Sequence, residues 1–170
     1  MFDFTFKGSI DGDGHTLSSV YPLGDGLFDS IDGATFKDLT VNLSIDYERY
    51  QNAKKDLKDV PTTLGLICDY AYGSNKFDEV SVSGQMENRF DQKSGDTVCV
   101  GSFIGEIHNG STEFSSCTSS VTLSAGGEAK HYAGGFVGYV GSDVSSVKFS
   151  SCDFTGKVST ISEGNSSKSQ

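Results

Sequence analysis

Three groups of residues in this chain could do chemistry. The first is its four cysteines, Cys68, Cys99, Cys117 and Cys152, which could bind a metal or pair as disulfides. No Cys-x-x-Cys pair and no Cys/His cluster supplies zinc-ligand spacing. Cys68 and Cys99 lie in the apolar runs LGLIC and VCV, where a free thiol behaves as a small buried hydrophobe. The second group is Asp11-Gly12-Asp13-Gly14-His15. Paired carboxylates can hold calcium or share acid–base work, but this run is too short for an EF-hand loop and lacks the Glu that closes one. Asp-Gly pairs are ordinary turn formers, so a turn is expected. The third group mixes aromatic rings with charge: Tyr47, Arg49, Tyr50, Arg89, Phe90, His131 and Tyr132. Such rings can stack on sugars or anchor a protein partner, and Arg is enriched in binding hot spots. The plainer reading is packing of connecting segments against the outside of the domain.

Catalysis is not expected from these groups. Glycoside hydrolysis needs carboxylates flanking the scissile bond, and the Asp and Glu residues do not gather as aligned pairs. No Ser-His-Asp order, nucleophile elbow or phosphate-binding glycine loop appears. Neither a metal nor a cofactor is called for.

The elements that must position these residues follow from a repeat. Four segments, beginning at Gly26, Gly65, Gly101 and Gly134, each open with a glycine-led apolar strand, cross a turn and enter a second strand through Phe36, Phe77, Phe114 or Phe149. Those phenylalanines are 41, 37 and 35 residues apart, a period typical of solenoids. After each phenylalanine, apolar and polar residues alternate with period 2. The expected inward rows are Leu39, Val41, Leu43; Val80, Val82, Gly84; Cys117, Ser119, Val121, Leu123; and Cys152, Phe154, Gly156, Val158. Thr40, Ser81, Thr118 and Asp153 are the matching outward positions. Parallel crossovers are overwhelmingly right-handed, so the fold class is all-β, a right-handed parallel β-helix of about four to five coils. A two-sheet sandwich is the alternative, although it does not account for whole segments repeating with their glycines and phenylalanines in order. Cys117 and Cys152 would stack in adjacent coils within disulfide range, but with parallel Cβ vectors that disfavour a bridge.

The expected organisation is one β-helix domain over residues 1–160, with an entry coil at 1–25, repeats near 26–64, 65–100, 101–133 and 134–160, and a flexible tail at 161–170. Three connections, DYERYQNAKKDLKDVPTT, QMENRFDQKSGDT and SAGGEAKHYA, leave and return at equivalent points. They are expected to protrude as neighbours from one edge, where binding groups concentrate. MFDFTFKG is expected to form a strand alternating Phe2, Phe4 and Phe6 with polar residues, without the pattern of a signal peptide. The apparent absence of a polar cap suggests a piece of a larger protein.

Composition narrows the partners. Lys and Arg number 13 against 23 Asp and Glu, a formal net charge of −10, which opposes the phosphate neutralisation that nucleic-acid binding requires. No apolar run is long enough to span a membrane as a helix. Three N-x-Ser sequons, at Asn42, Asn109 and Asn165, are either incidental in a Ser-rich chain or glycan acceptors.

The segments GGFVGYVGSDVSSVKFSSCDFTGKV and GSFIGEIHNGSTEFSSCTSSVTL resemble GLUG-motif repeats. The opening FKGSIDGDGHTLSSV is similar to the entry coil of pectin-lyase-like β-helices that carry such repeats. The second repeat departs from the pattern, since GLICDYAYG lacks the paired glycine and Val80 stands where others have Cys. The resemblance implies part of a secreted or surface-anchored microbial protein, often adhesin-like, and implies no reaction. Together these readings predict a noncatalytic extracellular module that binds a glycan or a host or neighbouring surface protein through loops on one edge. The alternatives are a purely structural spacer and a domain related to polysaccharide lyases or hydrolases.

Overall fold

The computed structural model describes residues 2–18, 26–45, 62–88, 97–126 and 130–161, and within them the chain is all-β. The first tier is β1 (Phe2–Phe6), β2 (Ser9–Asp11) and β3 (Thr16–Ser18); the second is β4 (Phe28–Asp32) and β5 (Thr35–Ile45). The third holds β6 (Thr63–Gly65), β7 (Cys68–Tyr72) and β8 (Ser74–Asn88). The fourth holds β9 (Thr97–Gly101), β10 (Ile104–Ser115) and β11 (Thr118–Gly126). The last is β12 (Lys130–Gly134), β13 (Val137–Ser150), β14 (Asp153–Phe154) and β15 (Lys157–Ile161). Every pairing among these strands is parallel. They form an open twelve-stranded sheet and a three-stranded sheet ordered β12-β9-β6.

The expected register is present residue for residue. Phe36 lies opposite Phe77, Phe77 opposite Phe114, and Phe114 opposite Phe149. Leu39, Val41 and Leu43 face Val80, Val82 and Gly84, and the outward Thr40, Ser81, Thr118 and Asp153 also align. Identical side chains at identical heights produce a ladder of rings: centroids are 5.1, 5.0 and 4.9 Å apart at 6°, 10° and 4°. A second pair, Phe103 and Phe136, stacks at 4.8 Å and meets the ladder edge-on, 5.4 Å from Phe114 to Phe103 and 5.5 Å from Phe149 to Phe136. Edge-to-face contact places a positive ring rim on a negative face, so the two rows lock together. Phe36, Phe77, Phe103 and Phe114 are fully buried.

The repeat glycines act differently from expectation. Gly65, Gly101 and Gly134 do not begin strands; they end the short strands β6, β9 and β12 and align with one another. The chain then turns over two residues into β7, β10 or β13. A Cβ on Gly101 would overlap the carbonyl oxygen of Ile104 and stand 2.6 Å from Gly138 N, so the turn excludes any side chain there. A second corner, between β7 and β8, is carried by Gly73 at φ 67°, a left-handed conformation open to glycine.

Parts of the expected connections are strand. Gln85 to Asn88 continues β8, Ser124 to Gly126 continues β11, and Lys130 to Ala133 belongs to β12, because Met86 and Ala125 extend the buried alternation. In β1, Phe6 packs on Phe28 at 4.8 Å while Phe4 is half exposed, since a register shift between Phe2 and Thr5 breaks the expected alternation.

Candidate functional site

The outward face of β7, β10 and β13 collects the aromatic and ionisable groups. Along β7 the chain alternates buried Ala71 with half-exposed Tyr70 and Tyr72; along β10, buried Ile107 separates Glu106 from His108. Register then assembles them across tiers, because Tyr70 pairs with Glu106 and Glu106 with Tyr139. At the usual spacing of parallel strands the two tyrosines flank the carboxylate roughly 10 Å apart. His108 Nδ1 lies 3.3 Å from Glu106 Oε1, and the Tyr72 and His108 rings are 5.3 Å apart. Burial pushes the Tyr72 phenol above its ordinary pKa, assisted by Tyr70, Glu106 and Asp29. The phenol therefore stays neutral at physiological pH, able both to donate and to accept a hydrogen bond.

Of the sequence candidates, Tyr132 joins this face. It is half-buried on β12, with its ring 5.0 Å from Tyr139 and the Lys130 ammonium 4.8 Å from its ring centre. His131 is also a strand residue, opposite Val98 on β9. Both were expected in a protruding loop; the continuing parallel pairing with β9 makes this stretch strand instead. Tyr47, Arg49, Tyr50, Arg89 and Phe90 lie outside the described residues. The sequence reading missed Tyr70, Tyr72, Glu106, His108 and Tyr139. Their signal was the period-2 alternation inside segments read simply as apolar strands.

The other chemical candidates have structural surroundings. Asp11 Oδ1 accepts the Asp13 backbone N–H at 3.1 Å, and His15 Nδ1 lies 2.9 Å from the Gly12 carbonyl. With Asp13 and Gly14 at φ 47° and 72°, this is a closed turn. Cys68, Cys99 and Cys117 are buried, Cys152 is half-buried, and all four are free thiols. Burial raises the pKa of Cys68, with Asp69 and Asp29 adding to it, and pushes Cys99 and Cys117 up to about 11. Among the described residues no group of three or more His, Cys, Asp and Glu side chains is placed to hold a metal ion. Asn42 is exposed on β5, whereas Asn109 uses Oδ1 to accept the Gly73 N–H at 3.0 Å.

No family model, curated protein or solved structure matches the chain. The resemblance to GLUG repeats thus rests on the repeat motifs alone.

Proposed function

We propose that this chain is a right-handed parallel β-helix module, noncatalytic and extracellular, that binds a neutral glycan on the outer face of β7, β10 and β13. The observation that carries the reading is the Tyr70–Glu106–Tyr139 column with Tyr132 set against Tyr139. Tyrosine offers a broad rigid surface at little entropic cost and a hydroxyl at its rim, which suits the apolar face and polar edge of a pyranose ring. Glu106 and His108 add hydrogen-bonding groups between the rings. A neutral ligand is favoured because a net charge of −10 repels anions. The β-helical reading is supported by strand-for-strand parallel register through successive repeats, and its hand by the rule for parallel crossovers. The extracellular setting rests on the GLUG-like motifs.

Glycan-array binding with the purified chain tests the proposal. Wild type is expected to retain one or more neutral glycans, with Tyr139→Ala weakening binding about tenfold or more. Thr118→Ala, on the outward side of β11, is expected to leave binding unchanged. Loss of all glycan binding by folded wild type, or undiminished binding by Tyr139→Ala, would overturn it; the first outcome favours a spacer.

A further inference from the structure

Resting on the glycan-binding reading above and specifying its ligand, we infer that the face of β7, β10 and β13 takes an extended β-1,4-linked chain of neutral pyranoses. The chain is laid along the stacking direction, one sugar over each tier. Register sets its path. Tyr70, Glu106 and Tyr139 occupy one column, and beside it Tyr72 approaches His108 with ring centroids 5.3 Å apart. Successive parallel strands are about 4.8 Å apart, which is close to the advance per sugar of an extended β-1,4 chain. A sugar over Tyr70 is therefore followed by one over Glu106 and one over Tyr139.

The order of side chains along the column fits the chemistry of such a chain. Equatorial linkages keep the chain straight and turn each sugar over relative to the one before. The first and third sugars then present the same face, and each meets a tyrosine, whose ring is a flat apolar surface with a hydroxyl at its edge. The middle sugar meets an acid instead. The Glu106 side chain is recessed between the two tyrosines at 19% exposure, whereas His108 stands at the rim at 55%. A carboxylate there accepts hydrogen bonds from sugar hydroxyls. Tyr132, its ring 5.0 Å from that of Tyr139, widens the platform under the third sugar. An α-1,4 chain curls away from a straight column and cannot touch all three tiers.

The column also limits the length that is read. Beneath Tyr70 it continues to Ser30, which is buried and whose hydroxyl lies 2.8 Å from Thr5 Oγ1. No ring extends the platform on that side. Tyr70 has tiers on both sides and is still half-exposed, because strand alternation turns it outward. A further tier beyond β13 would accordingly lengthen the column rather than bury Tyr139, so the site does not depend on the exposure of an outermost tier.

Calorimetric titration of the full chain with cello-, manno- and N-acetylchito-oligosaccharides, from disaccharide to hexasaccharide, provides the test, with α-1,4-linked malto-oligosaccharides as the comparison. At least one β-1,4 series is expected to gain about tenfold or more in affinity from disaccharide to trisaccharide and little beyond it. The malto series should show no such step. Tyr70→Ala and Tyr139→Ala each remove an outer contact and are expected to abolish the step; circular dichroism verifies that both variants fold. A malto series that binds as tightly, a β-1,4 series without the gain, or an unchanged step in either variant would overturn this inference and leave neutral-glycan binding standing. The same holds if the array retains other neutral glycans and no β-1,4 chain. Retention of no neutral glycan at all would overturn the earlier reading, and this one with it.

Discussion

At the residue scale, the cysteines show how a chemically suggestive side chain becomes a packing unit. Cys117 lies in the inward row occupied by Leu39 and Val80, and its thiol donates to the carbonyl oxygens of Ser115 at 3.3 Å and Phe77 at 3.5 Å. Burial raises Cys99 and Cys117 from an ordinary value near 9.0 to about 11. A folded-state pKa above the unfolded one means that the native state holds its proton more tightly. The resulting stability is fully present below about pH 9 and is lost as pH rises through the folded value near 11. Urea midpoints measured from pH 8 upward are expected to fall across that window. In Cys99→Ala/Cys117→Val the fall should be smaller; an identical pH profile in the variant would remove the thiols as its cause.

At the scale of the element, the strands depend on a bend that the alternation does not announce. Two residues after each ladder phenylalanine, Asp38, Glu79, Ser116 and Ser151 adopt φ of 46°, 55°, 52° and 53°. Non-glycine residues adopt this conformation at a cost, and its recurrence shows that stacking between tiers outweighs local preference. The phenylalanine ladder is one such stack that runs through the tiers. Phe114 touches Phe77, Phe103, Phe136 and Phe149 and is fully buried. Phe114→Ala is expected to cost about 3–5 kcal/mol in chemical denaturation. Phe149→Ala, which starts half exposed, should cost roughly half as much; equal losses would show that the ladder is not the determinant.

For the whole molecule, contacts run mainly between neighbouring tiers, including β5 with β8 and β10 with β13. Stability in such an array is approximately a sum of tier and interface terms, so the ends open more readily than the middle. Amide exchange of a dilute sample is expected to be slowest in β8 and β10 and fastest in β1 and β15. Uniform protection would argue for a single cooperative unit.

The sequence by itself determined the all-β class, the four-fold repeat and the register of Phe36, Phe77, Phe114 and Phe149, because period-2 burial and repeated bulky residues are local signals. It also marked all four cysteines as core, which holds for Cys68, Cys99 and Cys117, whereas Cys152 in the last tier is only half-buried. Only the tertiary structure placed the glycines at corners, since their close approach to Ile104 and Gly138 depends on how the chain turns and on the next tier. The candidate site was likewise a tertiary product. Tyr70, Glu106 and Tyr139 are far apart along the chain, and none stands out within its own strand. They become one surface because parallel stacking brings corresponding positions of successive repeats to adjacent heights.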